Sequence, residues 1–181
     1  MTRRLVSLGM WAAVTAAWPL FGAQAAELPL RKPGLWEMNL VRTGADTSLP
    51  ALTMQHCTDA TTDKDMATAS SPLSNEICSK HDLQQTATGY VSDSVCSVAG
   101  VSITNHSEIT GDFNSAYTVK TATHSERPVA GLPKDVVTTI QAKWLGACKP
   151  GQKPGDIVMP GGFRLNVKDA EKLKSLIPGG K

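Results

Sequence analysis

Along most of the chain apolar and polar residues alternate one by one, the two-residue period of strands with one face turned to a core. The pattern starts over Leu35–Arg42, where Trp36, Met38 and Leu40 interleave with Glu37, Asn39 and Val41. Thr43-Gly44-Ala45-Asp46 reads as a turn, and Leu52–His56 as a second strand. Five more strands are predicted near 77–85, 90–98, 100–109, 112–124 and 135–145, at hairpin spacing. In the fifth strand Val101, Ile103 and Ile109 mark one face, and Ser102, Thr104, His106 and Glu108 the other. Thr110-Gly111-Asp112 reads as the turn into the sixth, where Phe113, Tyr117 and Val119 oppose Asn114, Thr118 and Lys120. Helix is scarce. Thr58 can cap a short one over Asp59–Met66, and Asn166 an amphipathic one from Val167 to Leu176. The expected fold class is therefore all-β: a single antiparallel meander curled into a half or complete small barrel, with one short helix after the second strand and a short C-terminal helix.

The first 25 residues change this picture. Arg3 and Arg4 precede a mostly apolar run, Leu5 to Phe21, and Ala23-Gln24-Ala25 supplies a small-x-small cleavage pattern. Residues 1–25 are expected to be a signal peptide cut after Ala25, which places the mature protein in the periplasm. That run is short for a membrane span, and no later segment approaches ~20 apolar residues, so no transmembrane span is expected in the mature chain. Two of the 18 Lys and Arg residues sit in the leader, leaving 16 against 16 Asp and Glu. A nearly neutral mature chain gives no reason to expect a nucleic-acid partner. Residues 26–148 are then one β domain. Residues 149–181 form a tail, linker-like over Lys149–Gly162 with three prolines and four glycines, then a short basic amphipathic segment.

All four cysteines, Cys57, Cys78, Cys96 and Cys148, lie in the exported part, and an even count there reads as two disulfides. Cys78 and Cys96 flank the hairpin whose turn is Thr86-Ala87-Thr88-Gly89, so they face each other and leave Cys57 for Cys148. The Cys spacings contain no CxxC pair, against a zinc site. With every thiol bridged, no Gly-x-Ser-x-Gly elbow and no His-Glu-x-x-His, the sequence predicts no enzyme and no cofactor. Asp63-Lys64-Asp65 reads as a charged helix surface.

Two repeated triplets stand out, His106-Ser107-Glu108 and His124-Ser125-Glu126. Each sets an imidazole and a carboxylate on one strand face, the raw material of a metal site or a proton transfer. With the turn at Gly111, His106 falls opposite Ala116, so the triplets do not meet and read as solvent-face pairs. A second candidate set is apolar. Trp36, Met38, Phe113, Tyr117, Ile140 and Trp144 either line a pocket or fill the core.

Pro33-Gly34-Leu35-Trp36-Glu37, then Cys57-Thr58 before an acidic helix, Cys78, Cys96 in a strand, and the closing Trp144-Leu145-Gly146-Ala147-Cys148 carry a family resemblance. In this order, over roughly residues 32–148, the chain resembles the bacterial exported family known as domain of unknown function 3617. The resemblance implies a periplasmic all-β domain with no known activity, and so no catalytic residues to carry over. Pro33 has no amide to donate and Gly34 lets the chain turn, so the motif itself reads as strand entry, with Glu37 facing outward beside Asn39. The expected function is a non-catalytic binding module for a small apolar or amphipathic ligand or an envelope component. The alternatives are an envelope interaction protein using the tail, and metal binding through His106/Glu108 and His124/Glu126.

Overall fold

A computed structural model describes residues 26–44, 47–64, 77–98, 100–128 and 133–169. The seven strands expected from alternation are all present: β1 Gly34–Gly44, β2 Thr47–Thr58, β3 Cys78–Thr86, β4 Gly89–Val98, β5 Val101–Asp112, β6 Ala116–Ser125 and β7 Asp135–Gly146. Two short strands follow, β8 Asp156–Val158 and β9 Arg164–Asn166. All pair antiparallel in one nine-stranded sheet of order β3-β4-β5-β6-β7-β1-β2-β8-β9. The sheet is open, so the complete barrel among the sequence expectations is not formed. Closure would need β3 to meet the far end of the sheet, where β8 instead takes the free edge of β2 at Gln55 and His56.

The expected linker after Cys148 thus contains sheet. Its glycines and prolines make the turns of a small β8–β9 hairpin, and Asn166 ties that hairpin by donating to Asp156 Oδ1 at 2.8 Å. After β2, residues 60–64 form the described turn of a helix, α1. Its cap is Asp59 rather than Thr58: Asp59 Oδ1 accepts from the Thr62 amide at 2.7 Å. Val167–Asp169 is a 3-10 turn. The rest of the expected C-terminal helix, the loop expected over 68–75, residues 65 and 66 of the first helix and the signal peptide lie outside the described residues.

One register differs from the sequence expectation. The β5–β6 turn sits at Asp112–Ser115, where Asp112 Oδ1 accepts from the Asn114 amide at 2.9 Å and Oδ2 from the Ser115 hydroxyl at 2.9 Å. An aspartate that gathers the next amides builds the turn itself. Gly111 lies inside β5 opposite Tyr117, where φ is 111° and a Cβ would press on the Tyr117 backbone. His106 consequently faces Ala122, not Ala116, and His124 faces Thr104. Gly34 has a similar reason for being glycine. Its φ is 133°, and a Cβ there would run into the Gly146 carbonyl oxygen, so β1 and β7 approach closely only because this residue has no side chain.

The bridges are Cys57–Cys148 and Cys78–Cys96. The first joins the end of β2 to the residues after β7, across β1, where buried Leu35 pairs with Cys57 on one side and Gly146 on the other. A small register shift between Cys78 and Lys80 brings Cys78 opposite Cys96. In the chain-entropy account, a closed loop of 91 residues stabilises by about 4 to 5 kcal/mol and one of 18 by about 3. Replacing each pair by serines should lower the urea-unfolding free energy by about those amounts, with Cys57→Ser/Cys148→Ser the more damaging. The reverse order would contradict the larger contribution assigned here to the bridge that closes the longer loop.

Candidate functional site

Register sorts the side chains of β4 to β7 onto two chemically different faces. The outer face carries Asp93, His106, Glu108, Lys120, His124, Asp135 and Lys143. The inner face, on which Trp36 is wholly buried, has no charged side chain in these four strands. Across it runs an apolar row in which Ile109, Val119, Ile140 and Leu40 follow one another from β5 through β6 and β7 to β1.

An N-terminal arm, residues 26–33, lies over one end of this face. Its hydrogen bonds fix it to several elements at once. The Lys32 amide donates to the Phe113 carbonyl (2.9 Å), Trp36 Nε1 to the Lys32 carbonyl (2.9 Å), and Trp144 Nε1 to the Pro33 carbonyl (3.0 Å). The Lys32 ammonium sits 3.7 Å over the Trp144 ring, a cation–π contact. Below the arm, Phe113 stacks on Tyr117 with centroids 4.8 Å apart, and Tyr117 meets Trp36 at 5.4 Å. Arm and sheet form a half-open pocket of about 250 Å³ walled by Leu28, Leu30, Ile109, Phe113, Tyr117 and Val119. Of the six apolar residues singled out from sequence, Phe113 and Tyr117 line this pocket and Trp36 lies in the core beside it. Met38, Ile140 and Trp144 share the inner face without reaching the pocket wall.

At the pocket's polar end is a buried cluster without a local sequence signal. Arg31 donates to Asp63 from its backbone amide and from Nε, both at 2.7 Å, and its Nη2 lies 3.3 Å from His56 Nδ1. The reading of Asp63 as a helix-surface charge is corrected here: its residue is 7% exposed, and Thr58 adds a hydroxyl contact to the same carboxylate. What buries it is the arm, 32 residues away in sequence. Arginine can only donate, so His56 Nδ1 accepts and the ring proton sits on Nε2, which is buried without a partner among the described residues. Burial, reinforced by the Arg31 charge and opposed by Asp63, lowers the His56 pKa to about 4. Burial also raises the Tyr117 pKa, against the pull of Arg31. The cluster holds a neutral imidazole and a neutralised ion pair, an arrangement suited to clasping the arm onto α1.

Of the two His-Ser-Glu triplets, His106, Glu108 and His124 project from the outer face, while Ser107 points to the inner one. Each histidine is bonded to an aspartate on a neighbouring strand: His106 Nδ1 to Asp93 at 2.8 Å and His124 Nδ1 to Asp135 at 2.7 Å. Glu108 lies 4.0 Å from His106 Nε2 and pairs across the ladder with Lys120. Glu126 lies beyond β6, its amide bonded to the Ser102 carbonyl. A depression of about 700 Å³ runs across the strands between the two His–Asp pairs. Among the described residues no group of three or more His, Cys, Asp or Glu side chains is placed to hold a metal ion. Also among them, no helix is long and apolar enough to cross a membrane.

A family model described as "Protein of unknown function (DUF3617)" matches residues 31–148. The chain belongs to this family. No curated protein and no solved structure matches it. The matched span opens on Arg31 and closes on Cys148, so in this DUF3617 domain it runs from the buried ion pair to the long disulfide, while β8 and β9 fall beyond it.

The buried histidine gives the DUF3617 domain a defined acid sensitivity. In the unfolded chain the imidazole takes its proton near pH 6.5, in the folded one only near 4. Its contribution is therefore intact above 6.5 and drains away as pH falls towards 4, a loss of about 3 kcal/mol in all. Urea unfolding at about pH 7.5 and pH 4.5 should show this loss in the parent and a smaller one in His56→Leu. Equal losses in both would contradict the assignment.

Proposed function

We propose that this protein is an exported periplasmic binding module, non-catalytic, which holds an apolar or amphipathic ligand of the cell envelope on the inner face of its sheet. One observation carries the reading: an apolar pocket under a pinned arm, opening onto a sheet face without charged side chains in β4 to β7. Ligand sites are concave, mostly apolar and edged by a few polar groups, and here Arg31, Asp63 and the Tyr117 hydroxyl supply that edge. At about 250 Å³ the pocket is somewhat below the ~300–1,000 Å³ of ordinary small-molecule sites, so it suits one chain or ring, with the rest of the ligand lying on the open face. The leader-like first 25 residues and the two disulfides support an oxidising compartment outside the cytoplasm. Leu28 and Leu30, 43% and 48% exposed at the rim, are apolar surface that such a ligand would cover.

Titration with the fluorescent apolar probe N-phenylnaphthylamine tests the site. The parent should bind with a blue-shifted emission. Val119→Asp, which sets a carboxylate in the pocket wall, should weaken binding by roughly tenfold or more, because an unpaired charge resists desolvation. An unchanged titration in a variant with native circular dichroism would remove the pocket from the account.

A further inference from the structure

Beyond Ile109 and Val119 the inner face changes character. The next same-face pair along β5 and β6 is Ser107 with Thr121, whose hydroxyls are 2.9 Å apart. The pair after that is Asn105 with Thr123, where the Thr123 hydroxyl donates to Asn105 Oδ1 at 2.8 Å. Asn105 Nδ2 in turn donates to the Ser94 hydroxyl on β4 at 3.2 Å. All five side chains are half-buried on the face that holds the core, at positions where strand alternation would otherwise place apolar residues. Their mutual bonds use only part of their capacity, since each hydroxyl has one donor and two acceptor lone pairs and the amide keeps a second N–H. Two residues of strand advance about 6.6–6.8 Å, so the Asn105–Thr123 pair lies about 13 Å from the pocket floor.

From this zoning we infer that the ligand is an uncharged amphiphile: an alkyl or acyl chain seated under the arm, joined to a polyhydroxylated head of sugar or glycerol type lying on the Ser107–Thr121 and Asn105–Thr123 ladder. The inference rests on the binding reading above and names the class of molecule bound. Charge decides between heads. Within β4 to β7 a phosphate, sulfate or ammonium would meet no counter-charge, because every charged side chain of those strands stands on the other side. The Ser107–Thr121 row reaches a charge on this face only at Arg42 of β1, two strands beyond Thr121 past Thr138. Arg31, the cation that lines the pocket among the described residues, is already neutralised by two bonds to Asp63. A hydroxylated head exchanges its water bonds for hydroxyl and amide partners without leaving a charge unpaired.

Displacement of N-phenylnaphthylamine from the full mature protein by three detergents sharing one dodecyl chain, each below its micelle threshold, tests this. Dodecyl maltoside should displace the probe at a concentration at least tenfold lower than dodecyl sulfate or dodecyltrimethylammonium. Asn105→Leu, close in shape, should bring the maltoside-to-sulfate ratio towards one. Thr121→Val and Thr123→Val give the same readout should the first variant fail to fold. Thr104→Val, on the outer face, should keep the parental ratio. Equal displacement by all three detergents, or a preference for a charged one, would overturn the head-group inference and leave the apolar site standing. A parent that does not bind the probe at all would overturn both.

Discussion

A single-layer sheet has two faces, and one of them must be kept from water by something other than a second sheet. In this protein the described cover is slight: the arm, α1 and the aromatic stack beneath them. The arm can do this only because Arg31 and Asp63 hold it down, with His56 behind them and the Trp36 and Trp144 indoles bonded to its carbonyls. Removing one partner of a buried ion pair leaves the other uncompensated, at about 3–5 kcal/mol, a large share of the stability of a small domain. The clasp therefore governs the aromatic packing, the neutrality of His56 and the shape of the pocket together.

Alternation made the seven main strands and the Cys78–Cys96 bridge legible, because each is written in local spacing, and the Cys57–Cys148 bridge, 91 residues apart, followed by elimination. Thr and Val in β6 favour a pleated, half-buried surface, and the Thr86–Gly89 turn fixes which cysteines face each other. Gly111 misled for a physical reason: glycine serves both tight turns and close backbone approaches, and Asp112, with its own amide-gathering side chain, was the turn former. The Arg31–Asp63–His56 cluster had no local pattern, since its members come from an arm, a helix and a strand that meet only in the folded chain. The β8–β9 hairpin was hidden by the prolines and glycines of its own turns.

The histidine triplets show the same limit from the other side. Within each strand His and Glu share a face, yet each imidazole bonds an aspartate across the ladder, because a cross-strand neighbour is nearer than a residue two places along. Those pairs stand on the charged face, away from the apolar pocket. The segregation of charge to one side of β4 to β7 leaves the other side free for contacts that tolerate no charge, and the proposed binding role rests on this division.

The central claim is that the inner face holds an uncharged amphiphile beneath the arm. Native mass spectrometry of the protein, isolated gently from the cells that make it, tests it most directly. The account predicts a population carrying one small, neutral, lipid-like adduct, absent from Val119→Asp prepared in the same way. A parent protein that shows only its apo mass would contradict it.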